Sequence, residues 1–237
     1  MRRPLPRVAS IRDFYAFEQH VATCRRHRGL DMVAEWYRIP VFYFSNPAGV
    51  VHHDDELSAP SGSQALDYEL ELACVIGHAA RDLPADDRAL ECVLGFTIMN
   101  DWSARDLQRA EMAVGLGPSK GKDFATSLGP EVVPFDELSD CYIEGRLHLE
   151  MTAAVNGRIL SRGNAGSMHW TWPQILAHAS RDAALQPGDV LGSGTVGTGC
   201  ILELTPEAVG GWLKPADVVE LTIERLGTLR NRIVPHP

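Results

Sequence analysis

The sequence has few cysteines, and their spacing excludes the usual cysteine-built architectures. There are five among 237 residues, and none forms a C-x-x-C pair. Disulfide-stapled domains and structural zinc sites both rely on closely spaced cysteines. The pattern therefore predicts reduced thiols in an intracellular protein, with neither a disulfide framework nor a zinc site.

The chain also lacks an excess of positive charge and a long apolar segment. Its formal net charge is −9, and because phosphate recognition needs a basic face, nucleic acid is not an expected partner. No apolar run approaches the roughly 18 residues of a membrane span. The basic residues 1–7 are not followed by the apolar stretch of a secretory signal. We therefore expect a cytoplasmic protein without membrane association.

The composition that is present fits a globular protein with a substantial core. Hydrophobic residues make up 45% of the chain and charged residues 22%. We predict that an N-terminal helix–strand segment, residues 1–60, packs on a main domain, residues 61–237, and that the two form one structural unit. Strand patterns outnumber helix patterns and no βαβ rhythm is visible, which predicts an α+β, β-rich fold with peripheral helices.

The stretch 66–77 is typical of a strand, and it places two carboxylates on one face. Because side chains alternate, Glu69 and Glu71 project to the same side as Ala73 and Val75, opposite an apolar face. Two carboxylates in a partly buried place repel each other, and a hard divalent cation with oxygen ligands removes that conflict. From Glu-x-Glu alone, a solvated face is the alternative interpretation.

Residues 13–28 show apolar side chains at helical spacing and are predicted to form a helix. Asp13 is expected to cap its start, and Gly29 to end it. Asp13 and His20, seven residues apart, would then share a helix face. A lone helical histidine is more often structural or exposed than catalytic, so both roles remain open for His20.

Asp101 lies between a strand predicted over 95–99 and a helix predicted over 104–111. It is either the N-cap of that helix or a third carboxylate directed from a strand end. The glycine-rich residues 115–130 that follow are predicted to form a loop, and they lack the residue order of a P-loop.

The GSGTVG sequence at 192–197 matches a dinucleotide-binding pattern literally. That pattern has meaning only where a helix of a βαβ unit follows it. We predict a strand over 200–204 instead, so the glycines indicate backbone that another group approaches closely.

Five blocks in order resemble the fumarylacetoacetate hydrolase family, and the resemblance extends over nearly the whole chain. They are RDFYAFEQH at 12–20, LDYELE at 66–71, NDWSARDLQ at 100–108, GKDFAT at 121–126, and SGT at 193–195 with CILE at 200–203. The third block is the most specific. The resemblance implies a mixed β-roll with residues 61–237 as its catalytic part, a site in a cleft, and a homodimer.

The resemblance also implies roles for individual residues. The metal ligands would be Asp13, Glu69, Glu71 and Asp101, with Lys122 and Thr126 at the same site. The catalytic residues would be His20, Glu203, Lys122 and Gln108, and the substrate-binding residues Tyr15, Tyr43, Gln108 and Thr195. Oxygen ligands suit Mg²⁺ or Ca²⁺, with Mn²⁺ as a further candidate. The alternatives are a core position for Tyr43 and a turn position for Thr126.

The chain departs from the larger eukaryotic members of that family in three respects. It is expected to lack their N-terminal barrel domain, and the position of their second substrate tyrosine falls near Met112. Their substrate-binding arginine has no unique counterpart, because Arg25, Arg26 and Arg28 all compete for the role. These departures concern the substrate and not the metal site.

The resemblance implies a metal-dependent hydrolase that cleaves a C–C bond in fumarylacetoacetate or an acylpyruvate, both small anionic keto acids. His20, held by Glu203, would activate water, while Lys122 and Gln108 would stabilise developing negative charge. A decarboxylase or isomerase of a 2-keto or hydroxymuconate-type acid would use the same metal site. A non-catalytic protein that only binds metal and ligand is the third possibility.

Overall fold

A computed structural model describes all of residues 1–237. Its largest element is a mixed seven-stranded sheet. In spatial order the strands are β3 (Phe42–Ser45), β2 (Ser10–Phe14), β16 (Asp189–Gly192), β7 (Leu70–Ile76), β8 (Val93–Asn100), β10 (Thr126–Leu128) and β4 (Val50–Val51). The β2–β16 and β10–β4 pairs are parallel and the others antiparallel.

A second mixed sheet has five strands. In spatial order they are β15 (Arg158–Asn164), β14 (Glu150–Val155), β17 (Val218–Ile223), β18 (Gly227–Val234) and β5 (Glu56–Ser58). Three two-stranded ladders complete the strands: β1 (Arg3–Pro4) with β11 (Glu131–Val132), β6 (Leu66–Asp67) with β9 (Ser103–Ala104), and β12 (Tyr142–Ile143) with β13 (Arg146–Leu147). Strands from the first 60 residues therefore lie in both main sheets.

Helices are few and short. They are α1 (Glu18–Arg26), α2 (Arg105–Met112), α3 (Trp172–Ser180), α4 (Ile201–Leu204) and α5 (Pro206–Val209). None has the length and apolar character required to cross a membrane. The strand-rich architecture with peripheral helices confirms the predicted β-roll class.

The central strand β7 is buried on both faces, which explains its composition. Leu70 and Leu72 belong to the main hydrophobic core, which contains side chains from both main sheets. Ala73 and Val75 point the other way, into a smaller core. Glu71 shares this second face and is fully buried, so the solvated-face interpretation of Glu-x-Glu is wrong.

The predicted helix over 13–28 is correct only in its second half. Asp13 lies on β2, where it pairs with Gly192 on one side and Tyr43 on the other, and α1 begins at Glu18. Phe17 occupies the N-cap position without a side-chain hydrogen bond. The helical spacing of the phenylalanines was misleading because two sheet neighbours satisfy the backbone of this segment.

The strand predicted over 200–204 is a helical turn, α4. The backbone N–H groups of Ile201 and Leu202, at its start, donate to the carboxylate of Asp67 at 2.8 and 3.1 Å. A buried carboxylate at the first turn favours helical geometry, because it accepts from N–H groups that have no intrahelical partner. That partner is 134 residues distant, so the local sequence gave no sign of it.

Candidate active site

Neighbouring strands of the seven-stranded sheet bring four acidic side chains together. Asp13 on β2 pairs with Gly192 on β16. Gly192 also pairs with Ala73 on β7, and Glu71 stands two residues before Ala73 on that strand. Asp101 is the first residue after β8, the other neighbour of β7. Carboxylate oxygens of the set lie within 4.8 Å of one another, and all four residues are buried: Asp13, Glu69, Glu71 and Asp101. We call this set the carboxylate cluster.

The carboxylate cluster fits a hard cation on grounds of its own geometry. Oδ1 of Asp13 and Oδ1 of Asp101 are buried and have no hydrogen-bond partner. A Cβ atom at Gly192 would come within 2.5 Å of Asp13 Oδ1 and 3.0 Å of Glu71 Oε2. Only glycine therefore leaves the space in front of these oxygens open. Buried acceptors of this kind are the ligands that Mg²⁺, Ca²⁺ and Mn²⁺ prefer.

The protonation of the carboxylate cluster reflects its internal repulsion. Burial raises the pKa of Asp13 well above its usual value, and the charge of Asp101 raises it further. Burial and the Asp13 charge do the same to the pKa of Glu71. The pKa of Asp101 is raised by burial, although Lys122 opposes that rise. In the absence of a divalent cation, the cluster therefore retains protons.

Glu69 differs from the rest of the carboxylate cluster because two cations hold it. Burial would raise its pKa, but Lys122 and Arg105 outweigh burial and lower it. The Lys122 ammonium contacts both Glu69 and Asp101. The Arg105 guanidinium donates to Glu69 and to Asp67, each at 2.8 Å. Lys122 is thus placed beside the acids, as predicted for it from the sequence.

His20 and Glu203 form a buried pair on α1 and α4. Nδ1 of His20 lies 2.8 Å from Oε2 of Glu203, and Oε1 of Glu203 accepts from the backbone N–H of Thr198 at 3.1 Å. Burial lowers the pKa of His20, but contacts with Cys200 and Glu203 outweigh it and raise the pKa to about 10. An ionised Glu203 orients Nδ1–H toward itself, which leaves Nε2 as the nitrogen available for proton transfer.

The predicted substrate-binding residues lie around the carboxylate cluster at different distances. The Tyr43 hydroxyl donates to Asp101 at 2.5 Å, so its position is not that of a core tyrosine. The Thr195 hydroxyl donates to Glu71 at 3.3 Å. The Tyr15 ring meets the His20 ring edge to face, with centroids 5.4 Å apart. Gln108 accepts from Arg105 at 3.1 Å.

Thr126 lies on β10, not in a turn, and its hydroxyl is 3.4 Å from that of Ser45. It makes no hydrogen bond with a member of the carboxylate cluster, unlike Thr195. A cavity of about 200 Å³ runs beside this region and is lined by Tyr43, Ser45 and Lys122 among others. None of the four acids lines the cavity, but Tyr43 and Lys122, which do, both contact Asp101.

Two contributors to the site had no assigned role in the sequence. Arg105 is buried and donates hydrogen bonds to both Glu69 and Asp67. It stands three residues before Gln108, for which a role was predicted. Glu111 accepts backbone N–H groups of Ser119 and Gly121 and so fixes the loop that ends at Lys122. Arg105 lies within the most specific block, so its position in that block was an available signal; Glu111 had none.

Comparisons with known proteins identify the family. Residues 9–234 match the family described as Fumarylacetoacetate (FAA) hydrolase C-terminal. A fumarylacetoacetase from Arabidopsis thaliana is 31% identical over 296 residues, covering 97% of this chain and 70% of the relative.

Two solved structures are also similar. Fumarylpyruvate hydrolase from Pseudomonas aeruginosa, in complex with Mn²⁺ and pyruvate, has a TM-score of 0.78 at 25% identity and covers 97% of this chain and 91% of its own. 5-Carboxymethyl-2-hydroxymuconate delta-isomerase from Mycobacterium smegmatis has a TM-score of 0.76 at 27% identity, with coverages of 100% and 83%. The chain described here therefore belongs to the fumarylacetoacetate hydrolase family.

Proposed function

We propose that this protein is a metal-dependent hydrolase that cleaves a C–C bond in a 1,3-diketo acid of the fumarylacetoacetate or acylpyruvate type. The observation that carries the proposal is the buried His20–Glu203 pair beside the carboxylate cluster, with a hydrogen-bond length of 2.8 Å. Despite burial, the pKa of Glu69 is lowered chiefly by Lys122 and Arg105 and to a smaller extent by the charge of His20, which supports a short separation between the two centres. Hydrolysis needs a base beside the substrate-binding centre, and this pair is the one that lies there.

Asp13, Glu69, Glu71 and Asp101 would hold the cation. A divalent ion there supplies a Lewis acid that polarises the keto–enol oxygens of a bound 1,3-diketo acid. The Mn²⁺ and pyruvate in the Pseudomonas hydrolase support a divalent ion and a 2-keto acid product. The all-oxygen donor set is suited to Mg²⁺, Ca²⁺ and Mn²⁺.

His20 would take a proton from water at Nε2 while Glu203 stabilises the resulting imidazolium through Nδ1–H. The hydroxide adds to the carbonyl carbon distal to the carboxylate, the C–C bond breaks, and its electron pair remains on the leaving carbon as an enolate. His20 then returns the proton to that carbon, which gives a carboxylic acid together with a 2-keto acid from an acylpyruvate or a 3-keto acid from fumarylacetoacetate. Contacts with Cys200 and Glu203 raise the pKa of His20 in the metal-free protein, and added positive charge nearby opposes that rise and favours the neutral form that a base requires.

Lys122 and Gln108 would stabilise the negative charge that develops on oxygen, and Tyr15, Tyr43 and Thr195 would orient the substrate. Among the three competing arginines, Arg28 donates to the backbone oxygen of Cys24 on α1 at 3.2 Å. Burial raises the pKa of Tyr15, and the charge of Arg28 partly offsets that rise. Arg28 is therefore our candidate for the substrate carboxylate.

An isomerase or tautomerase is the second candidate. The Mycobacterium smegmatis neighbour is named as an isomerase. A base that moves a proton between two carbons of an enol needs the same His20 and no attacking water.

A substrate panel separates these activities. Protein with Mg²⁺ or Mn²⁺ is incubated with acylpyruvates, fumarylpyruvate, fumarylacetoacetate, a hydroxymuconate-type acid and oxaloacetate, and products are identified by NMR. We expect two carboxylic acid fragments from an acylpyruvate. A product of unchanged mass would favour isomerisation, and loss of CO₂ would favour decarboxylation. The homodimer and the cytoplasmic location stay predictions, the first of which light scattering on the purified protein tests.

A further inference from the structure

Four side chains that suit a soft cation meet beside the carboxylate cluster, between α1 and α4. They are His20, Cys24, Cys200 and Glu203, which we call the thiol–imidazole cluster. All are buried or nearly so: the residues His20, Cys24 and Cys200 are 4%, 7% and 0% exposed, and the Glu203 side chain 1%. The proposed reaction uses the imidazole and the carboxylate but neither thiol.

The geometry of the thiol–imidazole cluster resembles that of a ligand set. A ring nitrogen of His20, Sγ of Cys200 and a carboxylate oxygen of Glu203 all lie within 4.8 Å of one another. Sγ of Cys200 is 3.5 Å from Oε2 of Glu203. Sγ of Cys24, one helical turn from His20, is 3.8 Å from Nδ1 and 3.7 Å from Nε2 of the ring.

We propose that the thiol–imidazole cluster binds a thiophilic divalent cation, Zn²⁺ or Cd²⁺, as a site distinct from the carboxylate cluster. Thiolate and imidazole ligands select such ions, whereas an all-carboxylate set suits Mg²⁺, Ca²⁺ or Mn²⁺. Two sulfurs, one nitrogen and one oxygen match the tetrahedral coordination of zinc. Each thiol releases its proton to solvent when it binds the ion.

Binding requires a small local movement. Two ligands about 2.0 Å from a tetrahedral zinc lie about 3.3 Å apart, and the His20–Glu203 contact is 2.8 Å. The ion therefore replaces the shared proton and moves the two groups apart by about half an ångström. Because α1 and α4 carry the ligands, the bound ion also links them and should raise the unfolding temperature.

Occupation of this site would inhibit the enzyme, a consequence that rests on the proposed function. A ring nitrogen bound to zinc no longer donates to Glu203, and the ring loses the orientation and charge balance that proton transfer requires. Zinc inhibition should therefore persist at saturating Mg²⁺, since the two ions would occupy different sites.

The test is a titration of the full chain, kept reduced and saturated with Mg²⁺, with Cd²⁺ while thiolate-to-cadmium absorption is recorded. We expect one equivalent of Cd²⁺ to saturate the band, and Zn²⁺ to remove it by competition. The Cys24→Ala/Cys200→Ala double variant should give no band. Cys141→Ser, at a partly exposed cysteine outside the cluster, should retain it in full.

An absent band in the wild-type chain, a band that survives in the double variant, or one that disappears in Cys141→Ser would overturn the proposal. If circular dichroism shows that the double variant does not fold, Cys24→Ser and Cys200→Ser decide singly, and each should show a weaker band. The absorbance does not depend on turnover. A normal band without zinc inhibition would leave the site intact and contradict the role of His20 as base.

Discussion

The carboxylate cluster and the thiol–imidazole cluster are both buried, yet they satisfy their charges in opposite ways. In the first, Asp13 and Asp101 each have a carboxylate oxygen with no hydrogen-bond partner and a raised pKa. In the second, His20 and Glu203 neutralise each other at 2.8 Å. The difference indicates that the first cluster needs a cation to relieve its repulsion, whereas the second holds a proton that a thiophilic cation would have to displace.

Removal of the divalent cation should have the largest effect and separates the two clusters completely. Protein treated with a chelator and dialysed should lose all turnover of an acylpyruvate, because the proposed Lewis acid is gone while His20 and Glu203 remain. Added Mg²⁺ or Mn²⁺ should restore it. The measurement is product formation alongside metal analysis and circular dichroism. Full turnover by metal-free, folded protein would remove the carboxylate cluster from the reaction.

His20→Ala should lower kcat by roughly 10²–10⁴-fold, the usual contribution of a general base. Its Mg²⁺ affinity should stay unchanged, because the carboxylate cluster keeps all four acids. Steady-state kinetics measure kcat, and calorimetric titration measures the Mg²⁺ affinity. The control is His78→Ala, at a solvent-exposed histidine, for which we expect wild-type values. A near-wild-type rate in His20→Ala would require a different base.

Glu71→Gln, unlike His20→Ala, should act on metal binding. We expect the metal affinity to fall by at least about 100-fold, which is more than the typical loss at a residue that only supports a metal ligand. In the metal-free protein the same change removes a repelling carboxylate, so the unfolding temperature should rise. Calorimetry measures both. Glu91→Gln, at an exposed glutamate, is the matched control. Unchanged affinity would show that β7 does not carry the metal.

Arg28→Ala should reduce kcat/KM by roughly 10–100-fold, the magnitude of a charge-assisted hydrogen bond, through KM more than kcat. Arg26→Ala is the comparison, since Arg26 is an exposed arginine two positions earlier in the chain and should behave as wild type. The two variants together decide between Arg28 and Arg26 as the residue that binds the substrate carboxylate. Equal effects would mean that neither has a specific role.

The pH dependence of stability should be the mildest effect, and its sign tests the carboxylate cluster. The pKa values of Asp13 and Glu71 are raised in the folded, metal-free protein, mainly by burial, so the folded state binds more protons than the unfolded state above their ordinary pKa. The free energy of unfolding of the metal-free protein should therefore fall as the pH rises from the ordinary to the raised pKa of these acids. Metal binding should release the protons that they hold. Calorimetry in buffers of different ionisation enthalpy detects the release. Proton uptake would contradict the assignment.

Much of the site was available from local patterns. The alternation in β7 predicted Glu69 and Glu71 on one face, and the block around Asp101 identified a further acid. Burial of that face was harder to see, because it depends on apolar side chains that other strands place on the same face, such as Ile11 on β2 and Val190 on β16, and not on β7 itself. The helix assigned to Asp13 failed for the same reason, since pairing with Gly192 and Tyr43 decides its conformation.

The sequence by itself determined the family, the strand-rich class and the residues that can carry charge, since these follow from side-chain type and short-range periodicity. Only the tertiary structure decided which charges meet. Five scattered cysteines gave no sign of a site, yet Cys24 and Cys200 lie beside the same His20–Glu203 pair although 176 positions separate them. Burial and long-range strand pairing create the electric environment that makes four acids a candidate cation site, and neither quantity exists in a local stretch of chain.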